Sequence, residues 1–350
     1  MVEGPVRSRP RAIAWLFATL LAFLAPEFAA AQQAVSIVDT HAHPARFIGR
    51  ATPDAFVSHA LRAMREYGIE KTIVLPPPTR GGRMYRQRWP EFIDLIKAHP
   101  NSFAFGAGPE QLNSLILTTP ADAVTLNIRR RFAAIARKLI DSGVAVLGEF
   151  VAEHFSFGQH PYMSVAPDHP LLLLLADIAA RGSVPVDLHM EALPTDRPMP
   201  DLWPGRRNPP QTDNPARLRA NLPPFERLLA HNTKAKIVWV HAGWDNTGER
   251  TVRLMRQLLA KHPNLYMSIK VHRRLPGMTT PFAFFGGIRT EWLELLREFP
   301  DRFVIGSDSF YDEEPGDHLN PIRDFVNALP GELARKIAQE NAIELYRFNE

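Results

Sequence analysis

Eight short apolar or β-branched runs recur along the chain: Val35–Asp39, Lys71–Leu75, Phe103–Gly106, Val144–Gly148, Val184–Leu188, Ile237–Val240, Leu265–Ile269 and Phe303–Gly306. Runs this short and this apolar suit strands buried on both faces. Between them, Asp54–Tyr67, Ala121–Ser142, Leu171–Arg181, Pro215–His231 and Glu249–His262 place apolar residues at three-to-four spacing with charges opposite, as amphipathic helices do. From Val35 to Asp308 there are seven strand-to-strand steps over 308−35 = 273 residues, or 39 per step. That suits a βα unit of ~30 or more residues. Alternating strands and helices predict a parallel sheet covered by helices. Eight units predict an α/β protein closed into a (β/α)8 TIM barrel, whose usual size is ~250 residues plus loop insertions. An open doubly wound sheet is the alternative. No G-x-G-x-x-G turn follows a strand, which removes the main support for dinucleotide binding.

Three segments read as loop insertions, after strands 2, 4 and 5. Thr79–Trp89 carries Arg80, Arg83, Arg86 and Arg88; His154–His169 follows the fourth strand; Ala192–Pro215, after the fifth, is rich in proline. Loops that follow barrel strands form the active-site face, so these segments are expected to shape a pocket.

The 350 residues include no cysteine, which excludes disulfides, thiolate metal sites and a cysteine nucleophile. With 41 basic and 37 acidic residues the net charge is only +4, too slight and too dispersed to suggest a nucleic-acid partner. Arg7, Arg9 and Arg11 precede an apolar run, Ala12–Leu24, and the small residues Ala29-Ala30-Ala31. A run of 24−12+1 = 13 residues fits a signal-peptide core and falls short of the ~20 needed to span a bilayer. The expectation is a signal peptide over 1–31, one domain over 32–350, a secreted or periplasmic location and no stable membrane insertion after cleavage. A homo-oligomer is compatible with this pattern.

The candidate chemistry lies at the ends of the apolar runs. His41 and His43 close the first, His189 follows the fifth and His241 the sixth; Glu149 and Asp308 end the fourth and eighth. No local helix or turn can gather residues so scattered; a barrel, whose strand ends converge on one rim, can. Side chains two apart on a strand share a face, so His41 and His43 should both point into the mouth. Imidazoles with carboxylates suit a divalent transition metal: zinc first, with iron, nickel and manganese as options. Two ions would use all six: His41, His43 and Asp308 on one, His189 and His241 on the other, bridged by Glu149. One ion on His41, His43, His189 and Asp308 would leave His241 as catalytic base or substrate contact. Without a metal, Glu149 and His241 would simply pair as buried polar groups.

Val38-Asp39-Thr40-His41-Ala42-His43-Pro44, the strand-end Glu149, His189 and His241, Gly306-Ser307-Asp308 and the closing Ile337–Tyr346 segment together resemble the amidohydrolase superfamily, in its amidohydrolase-related branch of metal-dependent TIM-barrel hydrolases. The resemblance spans nearly the whole mature chain. It implies a metal-dependent enzyme, either a hydrolase or a non-hydrolytic decarboxylase of a carboxylic acid. As the branch's pattern stands, the decarboxylases bind one metal without the fourth-strand glutamate. Glu149 looks instead like the bridging glutamate of binuclear hydrolases, and no lysine ends the fourth strand to act as a carbamylated bridge.

The expected reaction is hydrolysis of an ester, amide, lactone or related bond by metal-activated water, with Asp308 as general base and then acid. Arg80 and Arg83 after the second strand and Lys270 at the seventh could offer cations to a small anionic substrate, with Trp244 as an apolar wall.

Overall fold

The protein is described by a computed structural model over residues 35–44, 52–80, 83–156, 160–202, 213–271, 279–311 and 316–348. The expected signal peptide and much of the proline-rich insertion lie outside the described residues. No helix within them is long and apolar enough to cross a membrane.

Eight strands form the frame: β1 (Ile37–His43), β2 (Ile69–Val74), β3 (Phe103–Ala107), β4 (Val146–His154), β5 (Val186–Met190), β6 (Ile237–Ala242), β7 (Leu265–Ile269) and β8 (Phe303–Ile305). Each pairs in parallel with the next. β8 returns to β1 with Asp39 opposite Ile305, so the sheet closes on itself. The helices between strands are α1 (Pro53–Tyr67), α2 (Arg83–Lys97), α3 (Leu126–Asp141), α4 (Pro170–Gly182), α5 (Leu222–His231), α6 (Val252–Lys261) and α7 (Thr290–Glu298), with α8 (Gly316–Ala328) after β8. The predicted (β/α)8 barrel is the observed one.

Local sequence explains the elements. At α1, the Thr52 hydroxyl accepts from the Ala55 N–H, Pro53 opens the first turn, and Gly68 at φ 64° ends it. Its buried face, Phe56, Val57, Ala60, Ala63 and Met64, packs on the outside of the sheet. Inside the barrel, Val38, Ile73, Leu75, Val146, Val238, Val240 and Val304 form a second cluster, joined by Ala342, Leu345 and Tyr346 of the last helical segment. That segment anchors where the strands begin: the Asn341 side-chain amide donates to the Pro300 and Phe303 carbonyls.

The insertions differ in part from expectation. α2 starts at Arg83, so most of Thr79–Trp89 is helix, and the burial of Trp89, Phe92 and Ile96 against the core outweighs the interior Pro90. Within His154–His169, Met163–Ser164 adds an antiparallel step to the end of β4. The long insertion after β5 is closed by a short hairpin pairing Arg197–Pro198 with Arg217–Leu218.

Candidate metal centre

All six strand-end residues meet at the carboxyl ends of the barrel strands. Three local distortions bring them in. Val38 points into the barrel, and the register shift between Asp39 and Ala42 rephases β1 so that His41 and His43 face the same centre. On β6 Val240 also points inward, yet the next residue, His241, enters the site because its backbone is left-handed at φ 70°. Asp308 is likewise left-handed at φ 54°. Such conformations cost non-glycine residues on the order of 1–3 kcal/mol and persist where surrounding contacts over-determine them. Here the Trp244 N–H donates to the His241 carbonyl at 3.0 Å, and the Asp308 N–H to the His41 carbonyl at 2.8 Å.

Glu149 lies at the middle. Its Oε2 is 3.3 Å from His41 Nε2 and 3.7 Å from His43 Nε2; its Oε1 is 2.6 Å from His189 Nδ1 and 2.9 Å from His241 Nε2. Asp308 stands on the His41/His43 side, with Oδ1 2.8 Å from His43 Nε2 and 3.9 Å from His41 Nε2. Its other oxygen pairs with the Lys270 ammonium, and Lys270 also lies 4.7 Å from the centre of the Trp244 ring. His41, His43, Glu149 and His241 are buried, and His189 is partly open.

The surroundings fix which ring nitrogens face the centre. His43 Nδ1 donates to the Leu75 carbonyl at 3.0 Å, and His41 Nδ1 donates to Asp187 Oδ2 at 3.1 Å, so Nε2 is the inward-facing nitrogen of both rings. Burial alone would raise the Glu149 carboxyl, but the His41 charge and the His189 and His241 hydrogen bonds hold it well below the usual carboxylate range. At Asp308 burial is likewise overridden, by Lys270, His241 and His43. Burial pushes His41 down, and Glu149 with Asp187 more than reverse it.

A divalent cation fits this donor set. One ligand atom each from His41, Glu149, His241 and Asp308 lies within 4.8 Å of the others. His41 Nε2, Glu149 Oε2 and His241 Nδ1 are buried without a hydrogen-bond partner. Buried donors and acceptors left unpaired cost about 1–3 kcal/mol each, and coordination would remove that cost for the two that face the centre.

The model of the amidohydrolase family matches residues 38–348. The chain belongs to that family. The chain also resembles solved structures at low identity. A 2,6-dihydroxybenzoate decarboxylase from Rhizobium shares 16% identity at a TM-score of 0.51, covering 90% of this chain and 100% of that one. A structure described as molecular engineering of organophosphate hydrolysis activity from a weak promiscuous lactonase template shares 14% at 0.50, covering 90% and 96%. Both likenesses speak to the barrel alone. Curated sequences show no match to the chain.

The remaining candidate residues are placed less uniformly. Lys270 and Trp244 border the centre as described. Arg80 is exposed, bonded to the Tyr162 carbonyl and 3.6 Å from Asp213. Arg83 begins α2, and its side chain lies outside the described residues. Two residues that matter to the site carry no assignment from sequence. Asp187, the partner of His41, hides inside the apolar run Val184–Leu188; a carboxylate in the middle of a doubly buried strand was its one signal. Asp39 ties the first and last strand ends together, accepting from the His41 and Ser307 N–H groups and from the Ser307 and Tyr311 hydroxyls.

Proposed function

We propose that the chain is a metal-dependent hydrolase of a small anionic ester, amide, lactone or related compound, with Glu149 bridging two divalent ions. The observation that carries this reading is the division of labour at Glu149, one carboxylate oxygen toward His41 and His43, the other toward His189 and His241. His41, His43 and Asp308 would hold one ion, His189 and His241 the other. A mononuclear decarboxylase would leave Glu149 a bystander, a poor description of a carboxylate within 3.7 Å of four imidazoles. Zinc is our first choice on ligand type, and export through the amino-terminal segment is part of the same proposal.

When bound, the ions would supply Lewis acidity, polarising a substrate oxygen and making water acidic near neutral pH. The chain does the rest. Asp308, ionised and aimed by Lys270, accepts a proton from the attacking water through Oδ1 and returns it to the leaving group. His241 spends its Nε2 on Glu149, which favours a ligand role over that of a free base. Lys270, lying against Trp244 and paired with Asp308, offers a positive charge beside the centre to an anionic substrate group. Arg80, already tied to Tyr162 and Asp213, is a weaker candidate for that contact.

Metal analysis of purified wild type and Glu149→Gln, alongside a panel of lactones, esters and amides with and without a carboxylate, tests the reading. The expected result is about two ions in wild type, loss of at least one in the variant, and turnover of an acidic substrate. A single ion indifferent to Glu149, with carbon dioxide released from an acid, would overturn it.

A further inference from the structure

Outside the ligand set, a buried guanidinium joins the two strands that carry His189 and His241. Arg250 is 2% exposed. Its Nη1 donates to the Val240 carbonyl at 2.5 Å and its Nη2 to the Met190 carbonyl at 2.6 Å. Its plane lies 3.9 Å from the Trp239 ring centre, and Trp239 Nε1 donates to the same Met190 carbonyl at 2.8 Å. A single rigid fork therefore grips the carbonyls of the residues that neighbour the two histidines, Met190 after His189 and Val240 before His241.

The loops beyond these strands are laced together in the same way. Asn246 donates to Glu191 through its backbone N–H at 3.1 Å and its amide at 2.5 Å. The Thr247 hydroxyl lies 2.9 Å from the Ala192 carbonyl. Asp245 Oδ2 accepts from the Arg250 N–H at 3.0 Å, anchoring the backbone that presents the guanidinium just ahead of α6. Burying an arginine is expensive unless its hydrogen bonds are satisfied in good geometry. Leucine or methionine could fill such a space, so a charge kept there needs a reason. Only a planar fork with donors on both arms can hold two carbonyls from neighbouring strands at once. The left-handed turn at His241 comes directly after one of those carbonyls, and its strain requires outside restraint of this kind.

We propose that Arg250 is a positioning residue that sets the separation and aim of His189 and His241, so that the pair is preorganised for a cation before one binds. The proposal rests on the metal-centre reading above but concerns a residue that touches neither ion nor substrate. Lysine cannot reproduce the fork, and methionine keeps the volume while losing both bonds.

Two measurements on Arg250→Lys and Arg250→Met test it. The first is cobalt affinity of the stripped, folded chain by chelator competition, with the visible spectrum of the bound ion; the expected change is about 10- to 100-fold weaker binding and an altered spectrum. The second is the imidazole nitrogen resonances of the metal-free protein: those of His189 and His241 should move, while those of His41 and His43 stay. Trp239→Phe, which removes the Nε1 bond to Met190 and shrinks the ring against the guanidinium, serves if both arginine variants fail to fold, and should shift the His189 signals most. Wild-type cobalt affinity with unmoved His189 and His241 signals, whatever the melting temperature, would overturn the proposal. A wild-type chain that takes up no cobalt would overturn the functional reading instead, and the imidazole signals would then decide the positioning role alone.

Discussion

His41 and Asp187 meet across the barrel interior, imidazole Nδ1 to carboxylate Oδ2 at 3.1 Å, with neither side chain reached by solvent. The carboxylate fixes the ring's tautomer and aims its other nitrogen at Glu149. Asp187→Asn keeps the shape and removes the charge. Metal affinity, measured by chelator competition, should fall about 10- to 100-fold while the circular dichroism spectrum is retained. Unchanged affinity would show that the contact is only packing.

The close approach of β4 to β5 is what permits that contact. A Cβ on Gly148 would sit 2.5 Å from the Asp187 Cβ and 3.3 Å from its backbone. Gly148→Ala should therefore destabilise the protein by about 1–3 kcal/mol and weaken metal binding together, because it pushes Asp187 off His41. Thermal melts of the metal-free and loaded forms separate the two effects.

Asp308 is the group assigned to proton transfer. Asp308→Asn should reduce kcat by about 10²–10⁴-fold on any substrate the wild type turns over, with the fold intact. Near-normal turnover would remove the role.

His154, whose ring centre is 4.8 Å from that of His189, gives a pH signature at the edge of the site. Burial of its ring first, and the neighbouring His189 second, push it down to about 3 from the ordinary 6.5. The unfolded chain then takes up a proton near pH 6.5 that the folded chain refuses, so stability is full above that pH and declines as pH falls toward 3. In metal-stripped protein, denaturant melts of wild type should lose up to about 1.4 kcal/mol more per pH unit between pH 6 and 4 than those of His154→Gln. Parallel slopes would contradict the assignment.

Much of the barrel and its centre could be read before any coordinates. Strand-end position predicts convergence on one rim, and His41, His43, Glu149, His189, His241 and Asp308 do converge. What periodicity could not give was the phase at that rim. The shift between Asp39 and Ala42 and the left-handed His241 both break the two-residue alternation, and neither has a sequence mark. The loops were harder. Arg80 sits after the right strand but turns outward to Asp213, because nothing in a run of arginines says which way a loop leans. Asp187 and Arg250 were hidden by their surroundings: one lies in an apolar run, the other just ahead of an amphipathic helix where charges are ordinary.

Joining of the first and last strands also has a consequence in time. His43 leaves the ribosome 265 residues ahead of Asp308, tens of seconds at typical synthesis rates of ~5–20 residues per second. Throughout that interval the growing polypeptide holds two imidazoles with no acidic counterpart from the far end. Completion of the site that His41 and His43 would share with Asp308 therefore belongs to the last moments of maturation, after the final strand has docked, and a chain ended before Asp308 lacks that carboxylate.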